Sequence, residues 1–213
     1  MRSFTICYKR SAAAPNRQKL TPSLLQGNNT FCLFYSKFIL LALIMVIVCG
    51  NAQGQTRVQA ATGNTGSSAA NTFTVTLNSA PANGNTLIAV ISTRGTTAGR
   101  VSSVSSGGAT WSRSVQSTNA NGVTTEIWYG AVTATGGTSV TITFVNSGWW
   151  QYTPLNYFAA AVVMEYSGIL TTNPLDKTAS SAGNNNSPIT GTTATTTQAN
   201  ELWIGGIGLV NSN

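Results

Sequence analysis

Trp149-Trp150-Gln151-Tyr152, with Tyr157 close behind, is the densest group of large aromatics in the chain. It follows Asn146-Ser147-Gly148 and is followed by Pro154, so it reads as a loop or a strand edge. Exposed aromatic faces stack on the C–H bonds of sugar rings, and nearby amides and hydroxyls take the sugar's own hydroxyls. If the segment is extended, Trp149 and Trp150 point to opposite sides and at most one faces outward. Packing is the other reading, with one ring closing the end of a core and the other lying under the loop. Trp128 joins the set because it shares a strand face with Glu126, while Val123, Ile127 and Tyr129 take the opposite face. The ligand-binding candidates are therefore Trp149, Trp150, Tyr152, Tyr157 and Trp128.

Acid–base chemistry has little to work with. The carboxylates are Glu126, Glu165, Asp176 and Glu201. Glycoside hydrolysis needs two of them about 5–10 Å apart, and Glu126 beside Glu165 or Glu201 is the pair to look for. Glu165 and Glu201 stand near strand ends, where a carboxylate commonly meets water or a turn amide. There is no histidine, and all three cysteines (Cys7, Cys32, Cys49) precede residue 54. A serine nucleophile after that point has only Lys177 as a lysine base. Asp176 with Asn173 and Asn184–Asn186 offers oxygen ligands for calcium, but one carboxylate is thin support for a divalent cation. Asn-rich turns usually reflect backbone geometry. Ser106-Gly107-Gly108 and Gly205-Gly206 read as turn or bulge glycines, since no helix signal follows either. No catalytic residue, metal or cofactor is assigned.

The first 54 residues differ from the rest. Six of the eleven basic residues lie there: Arg2, Lys9, Arg10, Arg17, Lys19 and Lys37. An apolar run, Phe38–Val48, follows, and then Cys49-Gly50-Asn51-Ala52-Gln53-Gly54. A basic stretch, an apolar core and small residues are the order of a secretory signal. The run is short for a membrane span of ~20 residues; extended back to Phe31 it reaches that length but encloses Lys37. Cleavage after Ala52 or Gly54 is the favoured reading and a retained anchor the rival one. A lipoprotein site at Cys49 is disfavoured by Val48, and translation starting downstream of Met1 would explain the long leader. In both readings the remainder is exported, to the medium or the cell surface. That remainder has five basic and four acidic residues, so the formal +7 of the chain belongs to the leader. A nucleic-acid partner is not expected, and a membrane is met only through the N-terminal segment if it stays uncleaved.

Residues 55–70 read as a linker or a first short strand, and 71–213 as one domain. Strand signals fall at intervals of roughly ten residues, as in a β-sandwich. Thr72–Leu77 alternates Phe73, Val75 and Leu77 with threonine, Asn83-Gly84 supplies a turn, and Thr86–Ile91 follows. These two pair as a hairpin or across the sheets. Further strands are expected over 100–105, 109–117, 123–133, 138–145, 157–166, 188–197 and 201–208, with a long loop at 168–187. No segment has convincing helical periodicity, so the fold class is an all-β antiparallel β-sandwich, jelly-roll or Ig-like. An interior-type strand three residues from the last residue predicts truncation at the C-terminal edge and an uncovered apolar edge at 202–210.

Gly84-Asn-Thr-Leu-Ile-Ala-Val90, Gly108-Ala-Thr-Trp-Ser-Arg113, Ile127-Trp-Tyr129, Met164-Glu-Tyr-Ser-Gly168, Asn173-Pro-Leu-Asp176 and Glu201-Leu-Trp-Ile-Gly205 together resemble a lectin-like, jelly-roll module of large secreted bacterial surface proteins. Such modules often stand beside Ig-like or fibronectin-like domains. The resemblance covers about residues 58–210 and rests on strand and turn signatures. It implies architecture and location, with no assigned activity, and a chain that continues beyond the Glu201 strand.

These readings converge on an exported binding or adhesion module that recognises polysaccharide or cell-surface glycan through exposed aromatics. A ligand-free spacer between other domains of a larger secreted protein is the alternative. A glycosidase-like jelly roll is the second.

Overall fold

The computed structural model describes residues 4–9, 54–106, 108–145, 157–184 and 187–209. Among these there are eleven strands and no helix. The strands are β1 (Phe4–Lys9), β2 (Thr56–Asn64), β3 (Thr72–Thr76), β4 (Thr86–Arg94), β5 (Val101–Ser106) and β6 (Ala109–Asn119). After them come β7 (Val123–Val132), β8 (Ser139–Phe144), β9 (Ala159–Ser167), β10 (Leu175–Ser180) and β11 (Glu201–Gly206).

The ladders nest. β5 pairs with β6, β4 with β7, β3 with β8 and β2 with β9, all antiparallel. This is one long hairpin whose outgoing arm is β2–β5 and whose returning arm is β6–β9. Rolling it up brings β4 against β9, β5 against β8 and β6 against β7. The eight-stranded order is then β2-β9-β4-β7-β6-β5-β8-β3, which is a jelly roll. The ends of that order also approach each other: a Cβ on Gly63 of β2 would lie 3.0 Å from Val75 Cγ2 of β3. The sheet is thus curled nearly into a barrel. The first two expected strands, β3 and β4, are not hairpin partners; they sit apart in the roll.

Period-two alternation decides what fills the inside. In β4, Leu87, Ala89 and Ile91 join Val75, Val140, Ile142, Phe144 and Val163 in the interior core. Ile88 and Val90 face the other way, into a second core with Ile127, Tyr129, Met164, Tyr166 and Ile169. That outer face is covered by a three-stranded sheet of order β10-β1-β11, which contributes Leu175, Leu202 and Ile204. β4 and β7 are buried on both faces, which explains why Thr86–Ile91 reads as a continuous apolar run.

Three segments depart from the sequence reading. Residues 188–197 form no strand: their threonines lack an apolar partner face, and Ile189 is exposed. Leu175–Ser180, expected within a loop, is β10; it offers only Leu175 to the second core, so alternation could not reveal it. Phe4–Lys9, within the leader, is β1. In the stretch 55–70, Thr56–Asn64 is a nine-residue strand along β9.

Candidate functional site

The three-stranded sheet turns a distinct face outward. β11 alternates Leu202, Ile204 and Gly206 toward the second core with Trp203 and Gly205 away from it. Trp203 is 49% exposed, and Ile207 and Leu209 continue the exposed row. Gly205, the next residue on that face of the strand, has no side chain to stand over the Trp203 indole. In register, Trp203 and Lys177 stand on either side of Cys7. β11 lies close to the roll because Gly206 and Gly208 carry no Cβ. At Gly206 a Cβ would meet Val90 Cγ1 at 2.6 Å, and at Gly208 it would meet Thr125 Oγ1 at 2.1 Å. These glycines are close-approach residues, not the turn glycines expected at 205–206.

A carboxyl cluster closes one end of the same sheet. Asp176 is the residue skipped where the β1–β10 register shifts between Cys7 and Tyr8. Its carboxylate accepts hydrogen bonds from Thr197 N and Thr197 Oγ1, each at 2.7 Å, and lies 3.7 Å from Lys177 Nζ. The Thr197 amide first, and then the Thr197 hydroxyl, hold its pKa at about 2, below the ordinary 3.8. Glu201 adds a smaller lowering effect.

The remaining two carboxylates point inward. Glu126 Oε1 accepts from Val101 N at 2.9 Å, and its Oε2 accepts from Trp128 Nε1 at 3.1 Å and Arg113 at 3.3 Å. Glu165 accepts from Gln59 Nε2 and Asn85 Nδ2 at 2.6 Å each, and from Ala82 N at 2.8 Å. Both side chains are buried. Glu126 stands opposite Ile91 and Glu165 opposite Leu87, on opposite flanks of β4. Four residues of strand is about 13 Å, so the two are not a hydrolytic pair. Glu201 belongs to the other layer. Each inner carboxylate instead ties a loop start or turn to the roll.

The aromatic candidates divide. Trp149, Trp150 and Tyr152 lie outside the described residues. Trp128 and Tyr157 are buried and are corrected to packing roles. Trp128 faces the interior because its strand face carries the inner core, and its indole N–H is taken by Glu126. Tyr157 meets the Phe144 ring edge-on at 5.3 Å, Arg100 covers it at 4.6 Å, and its hydroxyl donates to the Val145 carbonyl at 3.2 Å. Neither leaves a face open to a sugar. The calcium set also disperses: Asp176 is bonded as above, Asn173 holds a left-handed turn with φ of 48°, and Asn184 accepts from Asn121. Asn185 and Asn186 lie outside the described residues, among which no metal-binding group of acidic, cysteine or histidine side chains occurs. Trp203 is the residue that sequence reasoning passed over, by treating the whole run 202–210 as interior. Its signal was the alternation of Leu202 and Ile204 with Trp203.

Comparison with protein-family models, with curated proteins and with solved structures finds no match. The class of the protein is accordingly defined by its own topology, an all-β jelly roll with a three-stranded sheet on its outer face.

Proposed function

We propose that this chain is an exported, extracellular or cell-surface module that binds carbohydrate by stacking a sugar ring on Trp203. The observation that carries the reading is a half-exposed tryptophan on a regular strand, with glycine as the next residue on that face. Tryptophan has only two side-chain torsions, so little side-chain entropy is lost on binding. After residue 54 the chain is close to neutral in formal charge, which suits uncharged polyhydroxyl ligands bound through hydroxyl and amide groups. Trp149, Trp150 and Tyr152 remain the candidates for a second platform. Affinity per site is low on such a surface, and useful retention comes from several sites acting together.

The spacer reading is favoured by one observation, the burial of Trp128 and Tyr157. Binding of the chain to a glycan array and to insoluble polysaccharides separates the two. Loss of binding in Trp203→Ala, with the circular dichroism and melting of the parent retained, supports the stacking platform. Loss in Trp149→Ala or Trp150→Ala instead moves the platform to that segment. A folded chain that retains no glycan makes it a spacer. Mass analysis of the secreted chain reads the export step: a product beginning at Gln53 or Gln55 is expected.

A further inference from the structure

β1 fills the gap between two strands that also touch the jelly roll. It runs antiparallel to both neighbours, with Phe4 opposite Ser180 and Gly206, Ile6 opposite Thr178 and Ile204, and Cys7 opposite Lys177 and Trp203. Among the described residues neither β10 nor β11 has another strand partner. Yet each also makes contacts of its own with the jelly roll. β11 is pinned by Leu202, Ile204 and the close approach of Gly206 to Val90. β10 is anchored by Leu175 in the second core. Just beyond it, Ser117 Oγ and Asn119 Nδ2 donate to the carbonyls of Ser181 and Gly183. Without β1 the two walls stand two ladder spacings apart, about 9–10 Å. That is too far for them to pair with each other, and both inner edges then present unpaired N–H and C=O groups.

We propose that the gap between β10 and β11 is a strand-accepting site, and that β1 is its removable occupant. The inference rests on the export reading, because cleavage near residue 54 takes β1 away with the leader. The exported domain then receives an extended segment of another polypeptide, antiparallel to both walls and bonded to both edges. The register states the chemistry of that segment. Uncharged residues stand at the Phe4–Tyr8 positions. A basic residue follows at the Lys9 position, opposite Glu201.

The test uses the full chain with Cys32→Ser and Cys49→Ser, leaving Cys7, and adds Trp203→Cys. Directly opposite residues of an antiparallel pair have Cα atoms ~4.5–5.5 Å apart, within disulfide range. Mild oxidation is expected to link Cys7 to position 203 within one chain, and to leave the register-shifted Ile204→Cys control unlinked. Excess synthetic peptide spanning Ser3–Arg10, with serine replacing Cys7, is expected to abolish most of that link by taking the slot; a scrambled peptide is not. No link at 203, or equal linking at 204, overturns the assignment of β1 to the slot. A link untouched by saturating peptide overturns the exchange. Export fails separately, as a secreted chain whose mass still includes the leader.

Discussion

At the scale of single residues, the inner carboxylates are structural ties. Glu126 satisfies the Val101 amide and the Trp128 indole N–H, and Arg113 reaches it from a partly exposed position. Glu126→Leu strands those donors inside the roll, where each unsatisfied one costs roughly 1–3 kcal/mol. Urea unfolding should therefore show a loss of about 3 kcal/mol, with a smaller loss for Glu126→Gln, which keeps an acceptor. An unchanged midpoint in the leucine variant would remove this role. Asp176 gives a second expectation, in pH. Its folded pKa of about 2 lies below the ordinary 3.8, so its contribution is complete above pH 3.8 and is lost as pH falls toward 2. The stability difference between the parent and Asp176→Asn should shrink across that window, and a pH-independent difference would contradict the assignment.

At the scale of elements, β11 shows how a strand is seated by what it lacks. A Cβ at position 206 would press on Val90 Cγ1 at 2.6 Å and Ile127 Cδ1 at 3.4 Å. Overpacking of this kind costs about 1–3 kcal/mol. Gly206→Ala should destabilise by that amount, and Val90→Ala in the same chain should recover part of it; strict additivity in the double-mutant cycle would refute the contact. Most of the elements were legible because their inward faces are rich in Val, Ile, Leu and Phe, as in Phe73, Val75 and Leu77 of β3 and Val140, Ile142 and Phe144 of β8. Turn chemistry was legible too, since Gly84 adopts φ of 87°. What alternation cannot reveal is a strand that sends a single apolar residue into a core, which is why β10, with only Leu175, was hidden. Nor does it tell inside from outside when both faces are apolar. Trp203 was misplaced for that reason, and Trp128 could be put on a face with Glu126 without showing that the face looks inward.

At the scale of the whole molecule, the nested ladders set an order of formation. The β6–β7 hairpin is local: its turn is held by Asn121 N to Asn119 Oδ1 at 2.7 Å and by Gly122 N to Asn119 O at 3.1 Å. The β2–β9 ladder joins the two ends of the roll, with Ala61 opposite Val163, and the entropy of closing so long a loop must be met before its contacts form. The hairpin is therefore expected in the folding nucleus and the outer ladder after it. Gly122 holds φ of 108° at the hairpin turn, a conformation that costs a non-glycine residue of order 1–3 kcal/mol. Gly122→Ala should accordingly slow folding by about the factor that it destabilises, with little change in unfolding. Val163 is fully buried on β9, and Val163→Ala removes methyl groups that are packed only once the roll closes. A loss of about 2 kcal/mol there should speed unfolding roughly thirtyfold and leave the folding rate nearly unchanged. Stopped-flow folding and unfolding rates of the two variants decide the matter: the reverse pattern would mean that the roll closes before the β6–β7 hairpin is made.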